Sequence, residues 1–394
     1  MSANSGRGPR RAIVAGAGIG GLATAAALCR RGWDVEIFER ADAVGEAGSG
    51  LTLWPNGLRA LDVIGLGAAV REQAIAGTDS GIRDPGGRWL IRTDTGELVR
   101  RYGEAVMISR SDLFAILHRA VPDARLRLRV AVSGIETVGR RVRVVHSAGV
   151  SEADLVVGAD GIHSAVRRWV CPDARGPRYA GYTAWRMITS RPVPPLREGG
   201  ETWGHGERVG IVALADGRVY MFGAADAAAG QRGPGGELAE LRRRFDEWHD
   251  PIPALLDAVD EKDVLRHDIY ELPPLPTYVR GRVALLGDAA HAMTSNMGQG
   301  ANQGLEDAVT LAVLLDRPGD IEDALDEYDR VRRPRTQSIA ARSRHIGGVA
   351  QWNSIASMVR DAALRLIPAR ALVWGMGSVM VWEPPDAGDD LSNR

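Results

Sequence analysis

The chain has 394 residues, of which 45% are hydrophobic and 25% charged, and its formal net charge is −1. It is long enough for one large or two ordinary domains, and its apolar content argues against a disordered chain. So small a net charge provides no global field toward nucleic acid or an anionic membrane.

In chain order, the opening MSANSGRGPRR reads as a short polar tail without an apolar signal segment. RAIVAG follows as a buried β-branched strand. Gly16, Gly18 and Gly21 then stand in GxGxxG spacing before LATAAALCRRG, an Ala-rich helix closed by Gly32. In such a unit the first glycine allows a tight turn, the second lets backbone approach a pyrophosphate, and the third lets helix pack on strand. The helix N-terminus offers free N–H groups and a positive dipole end to phosphate. DVEIF is the second strand, ending at Glu39, where a carboxylate accepts ribose hydroxyls; Arg40 adjoins it. Strand, glycines, helix, strand and acid together point to a dinucleotide. At this point NAD and FAD stay equally open.

Residues 45–60 interrupt the βα alternation. Their glycines, Gly50 included, leave bare backbone suited to a close ligand, and Trp54 beside them is a candidate to face it. Pro55–Asn56 opens a helix. SRSDLFAILHRAV is an amphipathic helix with Ser111 or Asp112 as N-cap. RLRLRVAVSGIE and RRVRVVHSAG alternate as a strand pair. ADLVVGADGIHSAVRR is a further buried strand ending at Asp160-Gly161.

From Tyr179 the character changes. YTAWRMI, ETWGHGERVGIVAL and RVYMFGA read as antiparallel strands with a hairpin turn at ADGR, and a helical segment and DVLRHDIYEL follow. GRVALLGDAAHAMTSNMGQGANQGLEDAVTLA then supplies a second glycine-rich turn after a strand ending at Gly287-Asp288. One dinucleotide needs only one pyrophosphate turn. A second, with an aspartate and a helix N-terminus, suits a ribityl chain and a ring that becomes negative when reduced. That points to FAD lying extended between the two turns.

On these three segments the chain resembles the class A flavoprotein aromatic monooxygenases, the group around p-hydroxybenzoate and salicylate hydroxylases. GYTAWR (181–186) is similar to the salicylate and 3-hydroxybenzoate hydroxylase branch. The resemblance implies an α/β fold: an FAD-binding Rossmann-like domain over 10–176 and 273–345, an inserted antiparallel-sheet substrate domain over 177–272, and a C-terminal helical segment over 346–394. It also implies roles. Gly16, Gly18 and Gly21 face the pyrophosphate, Glu39 the adenosine ribose, and Arg110 reaches FAD. Val132 lies beside adenine, Asp160 supports FAD and NAD(P)H, Asp288 holds the ribityl or pyrophosphate portion, and Gly298, Gly300, Ala301 and Asn302 run past the pyrimidine. One departure stands out: Ser295 occupies the place of a loop proline usual in such enzymes.

The implied reaction consumes NADH or NADPH and O₂, and hydroxylates or epoxidises an electron-rich aromatic or polycyclic small molecule, in secondary metabolism, through a flavin C4a-hydroperoxide. The cofactor carries the hard chemistry and the protein excludes water. Candidate catalytic residues on the second domain's strands are Arg186, to bind an anion or the flavin edge, and His205 and Tyr220, to orient a substrate hydroxyl. His291 reads as structural, and Trp185, Trp203 and Phe222 as core packing. A Baeyer–Villiger oxygenase on the same scaffold, and a flavin-binding protein of low activity that sequesters an intermediate, are alternatives. No WxWxIP-like segment supports a halogenase.

In the tail, SIASMVRDAALRLI is an amphipathic helix ended by Pro368, and ARALVWGMGSVMVW is apolar but too short to span a bilayer. Cavity cover, core burial and a dimer contact are open to it, with peripheral membrane contact as the lesser alternative. The two cysteines, Cys29 and Cys171, form no metal or disulfide pattern, and no metal is expected. With no integral membrane segment, a cytoplasmic monomer or homodimer is the expectation.

Overall fold

The computed structural model describes residues 9–45, 49–77, 80–121, 125–196 and 198–385. Its organising element is a six-stranded sheet in the order Val279–Arg280, Val283–Leu285, Leu155–Gly158, Arg11–Ala15, Asp34–Glu39, Leu126–Leu128. All neighbours run parallel except the first pair. Ala15 pairs with both Phe38 and Gly158, and Gly158 pairs with Leu285. This register brings the carboxyl ends of four strands to one edge, so Gly16, Glu39, Asp160 and Asp288 emerge together. A ligand of an open α/β sheet binds at that edge.

The Ala-rich helix Ile19–Cys29 buries nearly its whole surface. Small side chains let it approach the helix Gly300–Asp316 closely: a Cβ built on Gly304 would lie 3.7 Å from Gly20 Cα. The expected N-cap of the helix Arg110–Arg119 moves to Ser109, whose hydroxyl accepts the Asp112 amide at 3.1 Å. RLRLRVAVSGIE is broken at Arg129, which sits at φ +58°: Leu126–Leu128 joins the large sheet and Val132–Val138 pairs with Arg141–His146.

A seven-stranded sheet covers the ligand edge, in the order Leu265–Glu271, Arg178–Ile188, Val219–Asp226, Glu207–Ala213, Gly200–Trp203, Gly81–Arg83, Trp89–Arg92. Residues 81–92 therefore extend the sheet expected from 177–272 alone, because Glu201 and Thr202 pair in parallel with Ile82 and Arg83. ETWGHGERVGIVAL is two strands, not one. Gly206 takes φ +71°, which reverses the chain between Trp203 and Glu207. The outer face packs Trp185, Met187, Val209 and Met221 on Leu241 and Phe245 of the helix Glu237–Phe245.

The expected boundary at 345 falls inside the helix Ile321–Ala350. Two further helices follow, Ser354–Leu366 and Ala369–Met380, with Pro368 between them as the N-cap of the second. Among the described residues no helix is long and apolar enough to cross a membrane, and no cluster of His, Cys, Asp or Glu could hold a metal.

Candidate active site

A cavity of about 1540 Å³ runs from the first glycine turn, beneath the seven-stranded sheet, to the C-terminal helices. Its floor is bare backbone. Gly16 adopts φ +104°, and a Cβ there would sit 2.3 Å from the Ala159 carbonyl oxygen. Gly21 is equally tight, with a Cβ 2.0 Å from the Gly16 carbonyl oxygen. Both glycines line the cavity, and backbone leaves no room for a side chain on either. Gly18 differs: it caps the helix without a side-chain bond, lines the cavity, and a Cβ on it would meet nothing within 4 Å. Gly161, Gly287 and Gly300 also line the cavity, and a Cβ on any of them would meet nothing within 4 Å. Gly287 is buried, so the space before it is cavity and not solvent.

Glu39 accepts the Ala17 amide at 2.7 Å and the Ala41 amide at 2.9 Å. These bonds fix its carboxylate at the rim, with lone pairs left for hydroxyls. Arg40, Arg110 and Val132 also line the cavity. Asp160 lines it too, but its carboxylate binds the Ser164 hydroxyl and the Ala165 and Val166 amides, at 2.6 and 3.2 Å, and so starts the helix Ala165–Val170. Asp288 is exposed into the cavity between buried Gly287 and Ala289.

The second turn is built to hold its shape. Gly298 takes the left-handed conformation, φ +60°, and presents backbone beside Trp54. Trp54 lines the cavity, and its buried Nε1 has no partner among the described residues. Gly300 and Ala301 line the cavity; Asn302 does not. Asn302 is fully buried, accepts the Trp54 amide at 3.0 Å, and donates to the Thr52 and Gly298 carbonyls at 3.0 and 2.8 Å. Its side chain clamps the turn from behind. Gly50 lines the cavity, and its lack of a side chain makes room for the Tyr220 ring, 2.9 Å from where a Cβ would lie.

Beneath the turn lies a buried ionic network. Arg332 donates to Asp307 at 2.7 Å and also pairs with Glu306; all three are fully buried. Asp307 in turn meets His291 Nε2 at 2.6 Å. Burial alone would raise the Asp307 carboxyl, but His291 and Arg332 outweigh it and hold it at about 2. His291 does not line the cavity, in keeping with a structural part.

The roof follows strand alternation. Tyr220, Phe222 and Ala224 face the cavity, whereas Val219, Met221 and Ala225 face the opposite core. Arg186, opposite Phe222 on the neighbouring strand, lines the cavity with Tyr220 two residues along. Burial pushes the Tyr220 phenol up, against the opposing effect of Arg186. Of the three aromatic residues expected in the core, Trp185 is there, its Nε1 donating to Glu237 at 2.7 Å; Trp203 and Phe222 line the cavity.

His205 does not reach the cavity. It is exposed on the Gly204–Gly206 turn and bonds Ser357 of the C-terminal helix. The chain reversal at that turn shifts the alternation and turns Arg208 inward, a residue the sequence did not single out. Arg208 is 2% exposed, pairs with Glu201 at 3.3 Å and with Asn296, and its Nε has no partner among the described residues. The only available signal was an arginine inside an apolar strand, in a chain where arginine is common.

Two glycine turns facing one cavity, two uncapped helix N-termini and a carboxylate fixed at the rim define a flavin-binding oxidoreductase. The chain belongs to the FAD binding domain family, whose model matches residues 10–343. It is similar to an aurachin C monooxygenase/isomerase of Stigmatella aurantiaca, 36% identical over 90% of this chain and 94% of that protein. A 3-amino-4-hydroxybenzoate 2-monooxygenase of Streptomyces cremeus is 37% identical, over 85% and 86%. A Klebsiella pneumoniae HpxO structure with FAD and uric acid superposes with a TM-score of 0.88 at 29% identity, over 94% and 96%. The fold is that of the class A flavoprotein monooxygenases, and FAD is the cofactor. The open glycines and the orphaned Trp54 Nε1 fit it.

Proposed function

We propose that this enzyme takes two electrons from NADH or NADPH and inserts one atom of O₂ into an electron-rich aromatic or heteroaromatic ring, as a hydroxylation or epoxidation. The other oxygen atom leaves as water. Bound FAD would supply acceptance of the hydride and activation of O₂.

The chain's own residues do the rest. The amides around Gly18 and the rim carboxylate Glu39 bind the adenosine and pyrophosphate end, and Asp288 the polyol. The uncapped N-terminus of Gly300–Asp316 favours negative charge at the ring. Tyr220 stays protonated at neutral pH and donates to a substrate oxygen, while Arg186 and Arg208 stabilise a phenolate or carboxylate. The observation that carries this reading is that Arg186, Arg208 and Tyr220 line the same cavity as both glycine turns.

An apolar lobe between Ile75, Ile82 and Leu98 and the C-terminal Leu364, Leu372 and Met376 suits a ring with an apolar substituent. A similar protein, 33% identical over 90% of this chain, is a 2-heptyl-3-hydroxy-4(1H)-quinolone synthase. Both cysteines are free thiols, which suits a reducing cytoplasm.

The test is turnover under ¹⁸O₂ with 2-heptyl-4(1H)-quinolone, salicylate, 3-amino-4-hydroxybenzoate and uric acid. One labelled oxygen atom in a product, with coenzyme oxidation stimulated by that compound, is expected. Coenzyme oxidation that yields only hydrogen peroxide with every compound would count against this substrate class. Bound FAD that neither coenzyme reduces would favour a sequestering role.

A further inference from the structure

The helix Ser354–Leu366 is inside out. It buries Ser357 and Arg360, which are 0% and 3% exposed. Arg360 is held inward by the Ala350 and Gly204 carbonyls at 2.8 and 2.9 Å. Its outward side shows Ile355, Met358, Val359 and Leu366, which are 77%, 65%, 60% and 83% exposed, with alanines between them. The apolar face continues through Ile367 to Trp374 on the next helix, 63% exposed. Most of the exposed large hydrophobic side chains among the described residues fall between Trp352 and Val381. Scattered surface apolar residues need no explanation; a contiguous patch does.

Two observations select the occupant. The patch is continuous with the cavity: Ile367, Ala371 and Gly375 are exposed outside and line the cavity inside. Its charges are also net basic. Arg370 is exposed beside it, and Arg101 stacks on the Trp374 ring at 4.3 Å. The arginines outnumber the facing carboxylates: Asp361 is paired with Arg360, Glu97 is shared by Arg100 and Arg101, and Asp84 by Arg88 and Arg365. Glu383 is exposed at the far end. Apolar side chains, a tryptophan and arginines on one face are the composition that settles into the headgroup boundary.

We propose that the outward face of the two C-terminal helices docks on an anionic lipid bilayer surface and sets the cavity mouth at Ile367 against the lipid. The helices lie on the bilayer and do not cross it. An apolar substrate dissolved in lipid would then enter the cavity without passing through water.

The test is co-sedimentation of the FAD-loaded protein with vesicles of phosphatidylcholine, with and without phosphatidylglycerol. Binding to the anionic vesicles that weakens in salt is expected. The combined Ile355→Ser, Met358→Ser and Leu366→Ser substitutions should lower the partition coefficient at least tenfold, with bound-flavin absorption and thermal midpoint unchanged. Should the triple variant misfold, Leu366→Ser alone should lower it severalfold. Wild-type protein that stays in the supernatant at every lipid concentration would overturn the proposal. So would vesicle binding indifferent to these substitutions. A wild-type dimer that the substitutions dissociate, without vesicle binding, would assign the face to a second copy. Sedimentation is read without turnover, so it can fail while the oxygenase reading stands, and the reverse.

Discussion

Asp307 accepts the Gly287 amide at 3.0 Å and so ties the middle of the helix Gly300–Asp316 to the turn that presents Asp288. One carboxylate thereby couples the second glycine turn to Arg332 and His291. Asp307→Asn leaves Arg332 fully buried with a weakened set of partners. Breaking one side of a buried ion network costs about 3–5 kcal/mol. Thermal denaturation should show a loss of that order, with faster FAD release. The folded carboxyl lies near 2, below the unfolded value of about 3.9. Its contribution is therefore complete above about pH 4 and is lost as pH falls toward 2. That part of the acid limb should flatten in the variant; an unchanged limb would show that Asp307 is not its source.

Gly18 and Gly21 separate ligand binding from folding. Gly18→Val adds a side chain into open cavity, so the apoprotein should keep its stability while its FAD affinity falls at least tenfold. Gly21→Ala drives a Cβ into the Gly16 carbonyl and should destabilise the apoprotein by about 1–3 kcal/mol. Flavin titration followed by fluorescence, beside urea unfolding of both apoproteins, distinguishes the two. Equal loss of folding stability in both variants would contradict this division.

The proposed reaction uses Tyr220 as a donor and not a base. Because its phenol is raised, Tyr220→Phe should leave FAD bound and introduce no change in the pH profile of kcat/KM below pH 10. A tenfold or greater fall in kcat/KM, of the size of a lost bond to a charged or buried oxygen, is expected. A pKa between 6 and 9 that vanishes with the hydroxyl would show that it titrates there after all.

These residues also show what the sequence made legible. The two glycine turns are local: spacing within about two dozen residues sets where the bare backbone faces, so Gly18, Glu39, Asp288 and Gly300 could be found without a fold. Arg208 could not. Its direction depends on a chain reversal two residues upstream, and an alternation read through that turn places His205 inward instead. The pairing of Gly81–Arg83 with Gly200–Trp203 joins segments over a hundred residues apart and leaves no periodic trace. Asn302 sits in the expected motif but points at Trp54, since helical position and not sequence neighbourhood decides which side faces the cavity. The tail helix was visible as amphipathic, yet which face turns inward is fixed by the anchors of Arg360.

His205→Ala provides the complementary control. The side chain stands on the surface turn, so kcat/KM should stay within about twofold of wild type. Lost contact with Ser357 should cost about 0.5–1.5 kcal/mol of stability. A hundredfold fall in kcat with the fold intact would place it at the reacting centre in solution.

Ser295 opens the short turn Ser295–Met297, and Thr294 before it is extended at ψ 150°. Both positions suit proline. Ser295→Pro should therefore raise stability by about 0.4–1 kcal/mol through the unfolded chain. It should also lower the fraction of coenzyme electrons lost as hydrogen peroxide, measured as peroxide per coenzyme oxidised. Destabilisation would show that the turn needs the serine amide.

The most direct measurement is the visible absorption of the purified protein with FAD, followed in one cuvette through addition of NADH or NADPH without oxygen and then admission of air. The oxygenase account expects a bound-flavin spectrum that bleaches with coenzyme, faster when a substrate is present, and returns on exposure to O₂. A protein that takes up no FAD, or a bound flavin that neither coenzyme reduces with any substrate present, would contradict it.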